Sequence, residues 1–232
     1  MGKKRCHGTV RVGVQNPKAP ATVSQMTTLD KTEYVYAAVG LTTTEQNDQP
    51  IERCILEFLP KQPSKILELG CGNGHFANLL AQTGHEVVAS DDSASGIAVA
   101  KNNYSGVRFE HASCYTPIES EKFDVVIAKE VIEHLVAPRR LCETAYSALK
   151  PGGQFIVTTP YHGYLKNLVL ALAGKGDAHY NPAWEGGHIK FFSPASLSMM
   201  LKQAGFTDCT FKYAGRFAFL WKSMICQATR PA

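Results

Sequence analysis

Residues 66–74 run Ile-Leu-Glu-Leu-Gly-Cys-Gly-Asn-Gly, an apolar stretch that breaks into three alternate glycines and then into a helical pattern. Each missing Cβ removes a clash, so a strand ending in such a loop can lay bare backbone against a nucleotide-like ligand. The spacing is Glu68-x-Gly70-x-Gly72-x-Gly74, which does not match the dinucleotide fingerprint G-x-G-x-x-G. A second apolar run, Glu86-Val-Val-Ala-Ser-Asp91, ends in an acid whose two oxygens can accept from a pair of vicinal hydroxyls.

Loop and acid together resemble motif I of the class I S-adenosylmethionine (SAM)-dependent methyltransferases. The resemblance implies that Gly70 and Gly72 let the loop approach the methionine end of SAM and that Asp91 receives the ribose hydroxyls. It extends the cofactor set to Glu68, Cys71, Gly74, Asp92, Ser113, Cys114 and Lys129. Many relatives carry an acid after the third strand to meet the adenine amine. Here that run is Ala112-Ser113-Cys114-Tyr115, so Ser113 or the backbone takes the place of the carboxylate.

Strands are predicted near 65–69, 86–90, 107–110, 123–128, 153–158, 207–213 and 222–228. Helices are predicted near 49–59, 74–82, 94–102, 138–149 and 194–204. This alternation predicts an α/β fold with a doubly wound, mostly parallel sheet. The family resemblance adds that the seventh and last strand runs antiparallel. Lys150-Pro-Gly-Gly153 reads as a sharp turn before the fifth strand. Residues 1–26 are basic and without periodicity, and are expected to be a flexible leader. A single domain is expected over 27–232, with a substrate lid at about 161–191 that covers the carboxyl edge of the sheet. The apolar stretch 164–173 suits a lid, a plain cover for the strands or a surface that docks on a membrane.

Twenty-four basic residues against 20 acidic give a net charge of +4, with much of the excess near the N-terminus; this speaks against a nucleic-acid partner. Seven scattered cysteines without a C-x-x-C pair read as reduced thiols of a cytoplasmic protein. No apolar run is long enough to span a membrane.

After the fourth strand comes Lys129-Glu130-Val-Ile-Glu133-His134. A helical turn over 130–135 would put Glu130, Glu133 and His134 on one face, a plausible half-site for a metal, and Gly187-His188 offers a further imidazole. Glu130-x-x-Glu133-His134 with a later Gly-His-x-x-Phe before Ser-Pro is similar to the ubiquinone-biosynthesis O-methyltransferases. It is also similar to the small-RNA 2′-O-methyltransferases that hold a divalent ion with such a set. The resemblance implies Glu130, Glu133, His134 and His188 as ligands of a divalent cation, Mg by the resemblance or Zn by the softness of two imidazoles. It places His134 at the reacting centre as well. His162, just past the fifth strand, is a candidate general base. The expected reaction is methyl transfer from SAM to a hydroxyl oxygen of a small molecule such as a phenol, a catechol-like ring or a sugar. RNA 2′-O-methylation, C- or N-methylation and a non-catalytic SAM-binding role are the alternatives.

Overall fold

The computed structural model describes residues 43–232 apart from 118–120, 185 and 216; the expected leader lies outside the described residues. Seven strands form one sheet in the order β3-β2-β1-β4-β5-β7-β6. They are β1 (Lys65–Leu69), β2 (Glu86–Asp91), β3 (Arg108–His111), β4 (Phe123–Ala128), β5 (Leu149–Pro160), β6 (Thr207–Ala214) and β7 (Ser223–Thr229). The first five pair in parallel, and β7 enters antiparallel between β5 and β6. This is the expected doubly wound sheet with an antiparallel last strand.

Seven helices complete the described chain: α1 (Thr43–Leu56), α2 (His75–Gln82), α3 (Ala94–Asn103), α4 (Pro138–Ala148), α5 (Tyr164–Leu172), α6 (Gly176–Tyr180) and α7 (Pro194–Gln203). The strands are apolar on both faces because helices cover both. Val125 and Ile127 of β4 meet Ile51 and Ile55 of α1 and Phe76 and Leu80 of α2 in one core. Val126 and Ala128 meet Leu141 and Ala145 of α4 and Leu197 and Leu201 of α7 in the other. Each fully buried aliphatic side chain contributes about 1.5–3 kcal/mol relative to exposure.

Two boundaries differ from the sequence reading. Helix α1 covers 43–56 rather than 49–59, with Pro50 inside it. The Lys150-Pro-Gly-Gly153 segment belongs to β5, which begins at Leu149. Gly152 takes φ +77° there, and paired main-chain bonds tie the segment to the chain end: Gly152 N donates to Arg230 O and Arg230 N to Gly153 O. A sharp turn and an irregular strand start share the same glycine chemistry, so residue type alone does not separate them.

The chain crosses from one half of the sheet to the other between the adjacent strands β1 and β4. In open α/β sheets, the crevice beyond the carboxyl ends of strands at such a reversal is where ligands bind. The glycine loop follows β1 and Lys129-Glu130 follows β4, so both motifs open onto that crevice.

Candidate active site at the carboxyl edge of the sheet

Gly70, Gly72 and Gly74 all take left-handed φ, +82°, +55° and +82°. The loop is pinned to β2, since Gly70 N and Cys71 N both donate to Ser90 O at 2.7 and 3.0 Å. A Cβ on Gly70 would lie 2.5 Å from Val131 Cγ2, and one on Gly74 would lie 2.7 Å from the Phe109 ring. Gly70 therefore serves the close approach of the segment after β4, and Gly74 the packing of α2 on the sheet.

Asp91 closes the loop from the other side. Its Oδ2 accepts from Gly72 N and its Oδ1 from Ser93 N, both at 2.8 Å. Burial raises its pKa, and these two amide bonds oppose the rise. Each oxygen keeps a further lone pair for a ligand hydroxyl. Asp92 is exposed, and its main-chain oxygen accepts from His111 Nε2 at 3.0 Å. Ser113 Oγ accepts from Tyr115 N at 3.3 Å, and burial pushes the Cys114 thiol up to about 11. The Cys71 thiol is also raised, chiefly by burial.

Glu68 sits at the base of the loop, buried, with Oε2 free of any hydrogen bond. Burial lifts its pKa to about 8 against the pull of Lys129. The Lys129 ammonium is turned toward α1, donating to Glu52 Oε1 at 2.9 Å and lying 3.6 Å from Asp48 Oδ2. Sequence reading placed Lys129 on the cofactor and did not find these two acids. They sit on the first described helix, where charged residues normally face water.

The segment after β4 departs from the expected helical turn. Glu130 takes φ +53°, and a short 3-10 turn spans only Ile132–His134. Thr158 at the end of β5 holds Glu130 in a closed pair: its Oγ1 accepts from Glu130 N at 2.9 Å and donates to Glu130 Oε1 at 2.8 Å. Ser223 Oγ donates to the other carboxylate oxygen at 3.4 Å. Glu130 is not among the groups whose ligand atoms come together with Glu133 and His134, although its charge still acts on Glu133.

Glu133, His134 and His188 do converge, each offering a ligand atom within 4.8 Å of the others. Glu133 is fully buried and neither carboxylate oxygen has a hydrogen-bond partner. Burial first, and then Glu130, raise its pKa well above the carboxylate range; Thr159 opposes this without reaching hydrogen-bond geometry. Burial likewise lifts Glu130 to about 7, opposed by Thr158. The His134 and His188 rings are 4.8 Å apart and edge-on. Burial, then His134, lower the His188 pKa to about 4. An orphaned buried carboxyl beside two imidazoles fits a divalent cation, which would satisfy all three groups at once.

Residues 161–191 form α5, α6 and a loop that returns to the site. Ile189 N and Lys190 N both donate to Glu133 O, at 2.9 and 3.0 Å. Helix α5 reverses the expected pattern: Tyr164 and Leu172 are 84% and 80% exposed, whereas Lys166 is buried, with Nζ donating to Tyr161 O at 2.8 Å. His162 is buried among Phe191, Tyr180 and His179, with ring centroids 5.0, 6.0 and 5.7 Å away. Burial and then Lys166 lower its pKa to about 4, so its imidazole is neutral at physiological pH. Sequence reading missed Thr158 at the end of β5 and the burial of Lys166; a lysine within an apolar run reads as solvent-facing.

Residues 43–210 match the family model described as a methyltransferase domain. The chain belongs to the class I SAM-dependent methyltransferases. SAM is the cofactor of that family. This methyltransferase-family chain is 33% identical over 158 residues to a ubiquinone biosynthesis O-methyltransferase of Methylobacterium nodulans, covering 64% of the chain and 62% of that relative. It thus spans about three fifths of that relative's length. A ubiquinone biosynthesis O-methyltransferase of Cereibacter sphaeroides (strain ATCC 17029) is 31% identical over 173 residues, covering 70% and 68%. Among solved structures, the Burkholderia thailandensis 1,6-didemethyltoxoflavin-N1-methyltransferase, with 1,6-didemethyltoxoflavin and S-adenosylhomocysteine bound, shares the fold. Its TM-score is 0.61 at 18% identity, over 79% of this chain and 78% of that one.

Proposed function

We propose that this protein transfers the methyl group of SAM to a hydroxyl oxygen of a small-molecule acceptor. The observation that carries the reading is the buried, unpartnered carboxyl of Glu133 beside His134 and His188, on the segment that follows β4. The sulfonium already makes the SAM methyl electrophilic, so the protein's task is to align an acceptor and take its proton. Carbon and amine acceptors need less help than a hydroxyl, and a site with this donor set suits the harder nucleophile.

Gly70 and Gly72 admit the methionine end of SAM, and the free lone pairs of Asp91 accept from its ribose hydroxyls. Glu133, His134 and His188 would hold a divalent cation, which when bound lowers the pKa of a hydroxyl and anchors it. Two imidazoles favour Zn and its neighbours over Mg. His162, neutral and enclosed by the lid, is the proton acceptor. As the oxygen–methyl bond forms and the methyl–sulfur bond breaks, the hydroxyl proton passes to the imidazole and S-adenosylhomocysteine leaves. The lid excludes water, which would otherwise compete for the methyl group. A formal charge of +4, concentrated in the N-terminal residues, favours a small acceptor over RNA.

The test is methyl transfer from radiolabelled SAM to a panel of phenols, catechols, sugars and short RNAs, with and without chelator. Turnover on a small hydroxyl acceptor that falls in chelator and in Glu133→Ala supports the reading. Turnover indifferent to both, or confined to amines or RNA, overturns it.

A further inference from the structure

Strand alternation puts Glu68 and Lys129 on one face of the sheet. Glu68 of β1 pairs in register with Ile127 of β4, and Lys129 is the next position along that segment on the same side as Ile127. Helices α1 and α2 cover this face, where Ile66 and Ile127 pack with Ile51, Ile55 and Phe76. Four ionisable side chains meet there, each buried or nearly so: Asp48 and Glu52 from α1, Glu68 from β1 and Lys129 from beyond β4.

Three acids stand around the Lys129 ammonium, and the two on α1 hold it. Its Nζ donates to Glu52 Oε1 at 2.9 Å, lies 3.6 Å from Asp48 Oδ2 and rests 5.0 Å from the centre of the Phe76 ring. The other oxygen of Asp48 lies 3.8 Å from Lys222 Nζ. Among the described residues Lys129 makes no ion pair with Glu68, whose Oε2 is buried without a hydrogen bond. A carboxyl so enclosed calls for a donor. Two residues further on, the glycine loop begins, and SAM carries a primary ammonium at its methionine end. A lysine on its four-carbon stem can turn from one acid to another, so Glu68 stays open only while α1 retains the ammonium.

We infer that Glu52 and Asp48 are positioning residues of the SAM site: by retaining Lys129 at α1 they keep the Glu68 carboxyl open for the methionine α-ammonium. The inference rests on SAM as the methyl donor and holds for any acceptor. Burial lifts the Glu68 pKa to about 8, and a neighbouring ammonium favours the ionised form, which makes the stronger, charge-assisted bond. The balance is set by Glu52. Without its carboxylate, Lys129 keeps only Asp48, at 3.6 Å and already engaged with Lys222, against the unpartnered Glu68. The ammonium then turns to Glu68 and occupies the place of the ligand's own.

The experiment is calorimetric titration of the full chain with two ligands: S-adenosylhomocysteine, which carries the amino-acid end, and 5′-methylthioadenosine, which lacks it. Glu52→Gln should weaken S-adenosylhomocysteine about 10–100-fold, the range for a lost hydrogen bond to a charged group, and leave 5′-methylthioadenosine unchanged. Adding Lys129→Met to Glu52→Gln removes the competing ammonium and should regain most of the loss. Glu68→Gln, with Glu52 intact, should show the same selective loss. Equal weakening of both ligands would make α1 a plain structural cover and overturn the inference. So would a loss that Lys129→Met does not repair, or wild-type affinity for S-adenosylhomocysteine in Glu52→Gln or in Glu68→Gln. A wild type that binds neither ligand removes SAM as the donor, and the inference with it.

Discussion

Nδ1 of His134 lies 2.8 Å from the main-chain oxygen of Gly186, 52 residues further along the chain. A carbonyl can only accept, so Nδ1 carries a hydrogen and Nε2 is the nitrogen left to meet a ligand. A ligating histidine commonly binds a backbone carbonyl through its second nitrogen, which fixes both tautomer and ring orientation. The oxygen of Gly187 stands behind it at 3.3 Å, so the contact holds as the ring tilts.

The ligand set predicts which variants respond to a cation. Added Zn, Ni, Mn or Mg should raise the melting temperature of the wild type, by about 2.7 kcal/mol of stabilisation at 100 times the dissociation constant. Glu133→Gln and His188→Ala should lose that rise, while Glu130→Gln keeps it, because Thr158 and Ser223 occupy the Glu130 carboxylate. A thermal-shift titration checks this, and loss of the rise in Glu130→Gln would restore the four-ligand set expected from sequence.

Gly70 meets Val131, and the pair predicts a repairable defect. Gly70→Ala forces a left-handed alanine, at roughly 1–2 kcal/mol, and drives its Cβ to 2.5 Å from Val131 Cγ2. SAM affinity by calorimetry should fall about tenfold or more, since each 1.4 kcal/mol is a factor of ten. Adding Val131→Ala should recover the steric part and leave the backbone part. No recovery in the double variant would mean that the glycine serves the ligand alone.

Thr158 both accepts from and donates to Glu130. Thr158→Val removes both bonds and leaves a buried donor unmet, costing about 1–3 kcal/mol. For a chain of this size that is a melting-temperature loss of roughly 2–4 °C per kcal/mol. Thr158→Ser keeps the hydroxyl and should melt close to the wild type. A loss in Thr158→Ser with Thr158→Val melting close to the wild type would put the effect in the methyl group.

Glu68 predicts a slope with pH in the absence of ligand. Its folded pKa, about 8, stands above its ordinary 4.5 because of burial. The folded state therefore holds a proton that the unfolded state has released. The associated stability is complete below pH 4.5 and is lost as pH rises through about 8. His162 and His188, pulled down to about 4, act in the opposite sense but only below about pH 6.5. Urea midpoints measured between pH 6.5 and 8.5 should fall more steeply for the wild type than for Glu68→Gln. Parallel slopes would contradict the assignment.

The fold was legible because its information is local. Apolar runs such as Phe123–Ala128, the glycines after β1 and the Ser193-Pro194 start of α7 each specify an element within a few residues. Glu133, His134 and His188 were legible through motif spacing. What was not legible depends on backbone direction or on distant partners. Glu130 takes a left-handed φ and pairs with Thr158, 28 residues away, which residue type does not announce. Lys129 faces Glu52 across 77 residues, and Lys166 is buried within an apolar run. No periodicity encodes such pairings; they arise only when the sheet closes.

Glu133 O accepts two main-chain bonds from Ile189 and Lys190, and His134 is tied to Gly186, so residues 186–190 and the turn after β4 move as one piece. This divides residues 161–191 into two provinces of unequal freedom. The exposed face of α5, Tyr164, Leu165, Leu168 and Leu172, can accumulate substitutions, whereas Lys166 of α5 and His179 and Tyr180 of α6 pack at the site. A graft that crosses Gly186 carries His188 and the carbonyl that orients His134 with it, and would have to bring the turn after β4 from the same donor.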